Sequence, residues 1–270
     1  MVASLGRVGG RWSVVGGRKL KTNRGQVTIF IIVAIVIVVA VLGLIFLMGG
    51  DGEVLSPSDL SPRDGVVGCV RDVVDESIDK MLRNGGEALA SQTIFYEGEE
   101  WNYLCYQADF YQGCYNIHPM LELQIEREIE MDTSVGVQSC FNAMREDFED
   151  RGLDVSGGGT VYSVDLLPGY VDVDLKKEIE VSGESGTQNF DDFGTEVMSP
   201  IYDLVRVARI IVNDESQFCN FEYNGYMLLY PEYDIRRVDY RDSKMYRVID
   251  RRTGDEFKFA VRSCAFAPGI

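Results

Sequence analysis

The sequence predicts an α+β ectodomain, helices plus antiparallel strands, behind one N-terminal membrane-spanning helix. Three observations predict it: an apolar run near the start, apolar residues at helical spacing in three later segments, and period-two alternation in segments between and after them. The run Val27–Met48 holds 22 residues in which only Thr28 and Gly43 interrupt aliphatic side chains and phenylalanine. At about 1.5 Å per residue it would extend roughly 33 Å, enough to cross a hydrocarbon core of about 30 Å.

Charge orients the span. Arg7, Arg11, Arg18, Lys19, Lys21 and Arg24 precede it, and no acidic residue occurs before Asp51. Residues 1–26 therefore read as a basic cytoplasmic leader, 27–48 as the transmembrane helix and 49–62 as a juxtamembrane linker. Residues 63–270 read as an extracytoplasmic domain. The whole chain carries 26 basic and 43 acidic residues, net −17; the part after residue 50 keeps 20 basic and all 43 acidic, net −23. So acidic a surface repels anionic partners and excludes nucleic acid as a main one; the apolar span makes the lipid bilayer a partner, and the location outside it makes other cell-surface proteins or glycans the expected others. Only seven of the 26 basic residues are Lys and Asp is abundant, a composition similar to that of proteins from high-salt archaea and equally to that produced by GC-rich codons. A removable signal peptide fits less well, because its apolar region is shorter and ends in small residues, whereas this run ends in Met48-Gly49-Gly50-Asp51.

Gly49, Gly50, Gly52, Pro57 and Pro62 interrupt the chain after the span. A helix is expected from Ser61, with Pro62 at its first position and Asp64 in its first turn. Val66, Val70, Val73, Val74, Ile78, Met81 and Leu82 form its apolar stripe, Arg71, Asp72, Asp75, Glu76 and Asp79 lie opposite, and Asn84-Gly85-Gly86 ends it. A second helical region begins near Pro119 with Leu121, Ile125 and Ile129. After an expected break near Gly136 it resumes with Val137, Cys140, Phe141, Met144 and Phe148. Strands follow: Val161, Ser163 and Asp165 alternate with Tyr162, Val164 and Leu166, and Tyr170–Val181 continues after the Pro168-Gly169 turn. Ser199-Pro200 opens a third helix with Ile201, Leu204, Val205, Ala208, Ile211 and Val212 inward. Strand patterns return over Tyr226–Tyr240 and Met245–Val261, the latter folded about Thr253-Gly254.

Six cysteines outside a membrane sit where disulfides persist, and six allow fifteen pairings. Cys105 and Cys114 enclose eight residues and make a local clip; Cys69 and Cys140 lie on the inward faces of two helices; Cys219 and Cys264 remain and bracket the last strands. No C-x-x-C occurs, and His118 is the one histidine, which removes most zinc chemistry and Ser-His-Asp hydrolysis. Gly157-Gly158-Gly159 lacks the Lys-Ser/Thr of a phosphate loop. Asp172, Asp174, Asp191 and Asp192 offer hard oxygens, but their alternation also describes the wet face of a strand. No spacing singles out two carboxylates for glycoside hydrolysis. No cofactor or metal is implied. The densest candidate is residues 95–115, with eight aromatics in 21 positions. Within it, Trp101, Tyr103, Tyr106, Phe110 and Tyr111 read as a recognition hairpin for glycan or protein, or as a hairpin packed on the core.

Lys21-Thr22-Asn23-Arg24-Gly25-Gln26, followed at once by the apolar run, resembles the class III signal of archaeal pilin-like proteins. That resemblance implies cleavage between Gly25 and Gln26. The longer wording Arg24–Ile32, with Cys69 through Gly85-Gly86, the stretch Pro119–Phe141 with Cys140, and the late Phe257–Arg262, is similar to a family of uncharacterised single-span surface proteins from small-genome archaea. The family implies a location and an architecture but no activity. The expectation is thus a non-enzymatic, membrane-anchored surface protein with a structural, adhesive or binding role. A pilin-like filament subunit processed after Gly25 is the alternative, and a glycan-active surface hydrolase a weaker one. Phe30 stands where bacterial pilins carry Glu, and the glycines and proline after the span interrupt a continuous pilin helix; both favour the individually anchored domain.

Overall fold

A computed structural model describes residues 62–183 and 186–267, together with Val38. The leader, the Gly25-Gln26 junction, the apolar run Val27–Met48 and the linker fall outside these residues, Val38 and Pro62 apart. Among the described residues no helix is long and apolar enough to cross a membrane.

The described chain is an α+β fold. Helix α1 (Pro62–Arg83) forms where the apolar stripe predicts it. Val66, Val70, Val74, Ile78, Met81 and Leu82 are buried, Val73 is half-buried, and Arg71, Asp72, Asp75, Glu76 and Asp79 face water. Its end is a left-handed glycine turn in which the Gly86 N–H reaches back to the Met81 carbonyl at 2.8 Å. A short hairpin follows, β1 (Thr93–Tyr96) and β2 (Glu99–Tyr106), then β3 (Tyr115–Asn116).

Helix α2 (Leu121–Asp150) runs without the expected break at Gly136. That glycine answers to packing: a Cβ there would lie 2.6 Å from Val73 Cγ1, so its bareness lets α1 approach α2. One turn further on, Cys140 reaches Cys69 across the same seam, with Cα atoms 5.9 Å apart, and the Lys80 ammonium meets Asp132 at 3.1 Å.

Strands β4 (Asp154–Leu167) and β5 (Tyr170–Gly183) make a long antiparallel hairpin about Pro168-Gly169. β6 (Gly186–Asp192) and β7 (Thr195–Met198) share the other edge of β5, completing a four-stranded antiparallel sheet. The outer edge of β4 is covered by α2: the Val164 and Leu166 N–H groups donate to Glu130 and Glu126, each at 3.0 Å. This is an effective way to close a sheet edge.

Helix α3 (Ile201–Phe218) buries the full predicted stripe. The strand expected from Tyr226 begins only at Tyr233. Residues Tyr223–Leu229 instead form helix α4, because the Tyr226 and Tyr230 rings, four apart, pack at a tilt with centroids 4.6 Å apart and the Met227 sulfur accepts the Ile235 N–H. β8 (Tyr233–Tyr240), β9 (Ser243–Asp250) and β10 (Glu256–Arg262) then form a meander. β10 pairs in parallel with β2, giving a six-stranded mixed sheet ordered β1-β2-β10-β9-β8 with β3 on β2.

α1 and α3 each touch both sheets, so one core runs through the fold. A smaller cluster of Ile94, Trp101, Tyr103, Met245 and Ala260 covers the opposite face of the six-stranded sheet. The cysteine pairs are Cys69–Cys140, Cys105–Cys114 and Cys219–Cys264, the same three that spacing and helix faces suggest.

We predict that Gly136→Val destabilises the protein by about 1–3 kcal/mol through overpacking against Val73. Val73→Ala in the same chain should recover part of that loss in denaturant unfolding. An unchanged midpoint for Gly136→Val would contradict the close approach of α1 and α2.

Candidate functional site: an aromatic knuckle held by two disulfides

The aromatic segment divides in two. Trp101 and Tyr103 are 3% and 6% exposed and belong to the second cluster; Arg247 and Lys258 stand 5.2 and 5.5 Å from the Trp101 ring, and the Tyr103 hydroxyl pairs with Ser243 at 2.7 Å. They build the sheet's outer layer and are not available as a contact surface. Burial holds the Tyr103 hydroxyl above its ordinary pKa, outweighing the Ser243 contact. Tyr106 is half-buried. Phe110 and Tyr111 are 38% and 54% exposed, and Phe266, 155 positions beyond Tyr111, joins them at 77% exposure. Ring centroids lie 6.5 Å apart for Phe110–Tyr111 and 5.7 Å for Tyr111–Phe266, the latter edge to face.

The local sequence explains why these rings are presented outward. A bulge in the β2–β10 pairing, between Ala260 and Val261, turns both Leu104 and Cys105 into the main core, where Cys105 meets Cys114. Residues 107–114 are thereby closed into a loop. The loop is laced to the end of β10 by three backbone bonds: Gln107 N–H to Arg262, Tyr111 N–H to Ala265, and Cys264 N–H to Gln112, at 3.0, 2.9 and 2.7 Å. Gly113 crosses the end of α3 so tightly that a Cβ would lie 2.4 Å from the Ser216 carbonyl oxygen. Cys219, which ends α3, is bridged to Cys264.

Five non-glycine residues among those described have positive φ, and three meet here: Tyr111 (62°), Cys219 (57°) and Cys264 (48°). Each such conformation costs on the order of 1 kcal/mol or more and persists only where its surroundings enforce it. The enforcement is visible underneath. Glu215 is fully buried, accepts the Tyr246 hydroxyl at 2.5 Å and the Lys244 ammonium at 2.6 Å, and its backbone carbonyl accepts the Ser263 hydroxyl at 2.6 Å. Lys244 also donates to the Cys219 carbonyl, where α3 leaves its last oxygens unpaired. Burial, together with the Glu215 charge, raises the Tyr246 pKa strongly, so this phenol keeps its proton and remains a donor.

Arg262 supports the rings from behind. It is 8% exposed at its side chain, donates to Asp242 at 2.7 Å and to the Gln107 carbonyl, and stacks on Tyr106 and Phe110 at 5.6 and 5.3 Å. Burial alone would raise the Asp242 pKa, but the hydrogen bond and charge of Arg262 together hold it below the ordinary 3.8.

The remaining sequence candidates are placed apart from the knuckle. His118 is mostly buried and bonded to Glu87 at 2.8 Å, and Glu87 also accepts the Ser91 N–H at 2.9 Å. Asp172 and Asp174 lie on the four-stranded sheet, where Asp174 pairs with Lys176 at 3.1 Å; Asp192 accepts the Gly194 N–H at 3.0 Å and stands 3.9 Å from Arg63. Among the described residues no group of three or more His, Cys, Asp or Glu is arranged to hold a metal ion. Gly157 and Gly158 border an open groove of about 540 Å³, with Glu178, Asn189 and Asp191 among its lining residues, where the pairing of β5 shifts register on both sides. That lining contains neither histidine nor cysteine. No family model, curated protein or solved structure is significantly similar to this chain.

Sequence reasoning missed Phe266 and Arg262 as members of the site. No local signal points from residue 266 to residue 111; the neighbourhood arises from the parallel β2–β10 pairing.

The Asp242–Arg262 pair yields a pH prediction. Because the folded pKa of Asp242 is depressed, its stabilisation is present above 3.8 and is lost as pH falls through the lower folded value. Asp242→Asn should therefore cost about 1–3 kcal/mol at pH 7, toward the lower end because Asp242 is partly solvent-screened. The difference from wild type should shrink below about pH 3.8 in thermal unfolding followed across pH. A difference of constant size from pH 7 to pH 2 would contradict the pair.

Proposed function

We propose that the protein is a membrane-anchored extracytoplasmic surface protein with an adhesive or binding role, and that the knuckle of Phe110, Tyr111 and Phe266 is its contact surface. The observation that carries this reading is the knuckle itself. Large exposed rings on a rigid, positive-φ, twice-clamped support are arranged for recognition, because a partner meets apolar area whose ordering cost has already been met in the free protein. The anchor rests on the apolar run and the six preceding basic residues. The expected partners are cell-surface proteins or glycans, since an acidic exterior disfavours anionic ligands.

A pilin-like subunit processed after Gly25 is a second reading, favoured by the Lys21–Gln26 wording directly before the apolar run. A glycan-active hydrolase has less support. Among the described residues the carboxyls held above their ordinary pKa are Asp75 and Glu126, both raised chiefly by burial, on different helices. Glu126 is already engaged with the Leu166 N–H.

Two outcomes test the proposal. Protease added to intact cells should digest the region after residue 50, whereas protection until lysis would contradict the topology. Tyr111→Ala with Phe266→Ala should reduce adhesion of cells displaying the chain at least tenfold while leaving the melting temperature within a few degrees, since both rings are exposed. Unchanged adhesion would show that the knuckle is not the contact surface.

A further inference from the structure

Helix α2 carries a second unusual surface, separate from the knuckle. Its exposed positions from residue 131 to residue 143 are Met131, Ser134, Val135, Gln138, Ser139, Asn142 and Ala143. None is charged, although about a quarter of the chain is. On α1, by contrast, every exposed position from Arg71 to Arg83 is charged. The one charged residue inside the α2 stretch, Asp132, is turned aside to Lys80. The face is therefore a stripe about three turns long, with Met131 63% and Val135 77% exposed at its centre line and with hydroxyls and amides beside them. Gln138 already donates to Asn142 at 3.2 Å along it.

We infer that this stripe is the contact between two copies of the chain, packed helix against helix about a two-fold axis near Val135 and Gln138. Charge decides the occupant. A partner of opposite charge would be recognised through carboxylates, which this surface offers widely and the stripe lacks. A second copy is equally acidic, and close approach to it requires a face without charge. The polar groups of the stripe suit self-pairing, since hydroxyls and side-chain amides each donate and accept and so can bond their own symmetry mates. Depletion of charge with exposed Met and Val is also the composition of an interface centre. A three-turn helix face is smaller than the roughly 800 Å² per partner of a standard interface, so the association is modest and is strengthened where copies are held close together.

The inference does not rest on the knuckle or on the anchor. It is tested with the full chain in mild detergent carrying a nitroxide at Glu146→Cys, an exposed position of α2 beyond the stripe, a thiol with no competitor because the six native cysteines are paired. Pulsed dipolar spectroscopy should show one narrow distance between copies. Its amplitude should rise with protein concentration and with salt, because screening the like charges shortens their reach from about 10 Å at 0.1 M to about 3 Å at 1 M. Val135→Glu should raise the dissociation constant at least tenfold, whereas Val135→Thr and the Tyr111→Ala, Phe266→Ala chain should retain the distance. No distance between copies, a distance that survives Val135→Glu, or an amplitude that falls with salt would each overturn the inference.

Discussion

The close approach of α1 and α2 is the constraint on which the rest depends. Bare Gly136 admits Val73, Cys140 bonds to Cys69 one turn away, and Lys80 meets Asp132 beside them. A bridge of this kind, closing a separation of 71 residues, is worth about 4 kcal/mol on a chain-entropy model. With that seam fixed, α2 can face only one way. Ile125, Ile129, Val137 and Phe141 enter the core, Thr133 bonds the Tyr162 hydroxyl at 2.7 Å, and Glu126 and Glu130 close the edge of β4. The uncharged stripe is what remains turned to solvent.

The far end of the fold obeys a second constraint, a buried charge that must be matched. Glu215 brings its carboxylate into the core at the end of α3, and removing one partner of such a group typically costs several kcal/mol. Lys244 and Tyr246 of β9 and Ser263 after β10 converge on it, which fixes α3 against the six-stranded sheet. The loop 107–114, Cys219 and Cys264 are shaped over this junction. The strained backbone of the knuckle is thus a consequence of a well-determined floor, and its rings are held in place without a partner.

Much of the fold was legible because its elements follow one periodicity each. The stripes of α1 and α3 and the alternation of β4 and β5 could be read residue by residue, since each buries a single face. Gly136 misled because a glycine in a helix signals weakness in sequence and close packing only in space. Tyr226–Leu229 misled because aromatic residues favour strands until a pair of packed rings four positions apart holds a helical turn. β6, with the polar sequence Gly-Thr-Gln-Asn-Phe-Asp-Asp, has no buried face to announce it and exists because β5 offers an edge. The site was half legible. Phe110 and Tyr111 stood out by density, yet the same density included Trp101 and Tyr103, whose role as core depends on which face of a bulged strand they occupy. Phe266 and Arg262 were invisible, since a parallel pairing between distant strands leaves no mark near either.

The described domain is one cross-linked unit in which the α1–α2 seam and the knuckle are separately locked. Non-reducing peptide mapping of the native protein tests it most directly. Three linked peptide pairs are expected, Cys69 with Cys140, Cys105 with Cys114 and Cys219 with Cys264, and no free thiol. A link from Cys69 to any cysteine other than Cys140, or a reactive thiol at Cys219 or Cys264 in the folded protein, would contradict it.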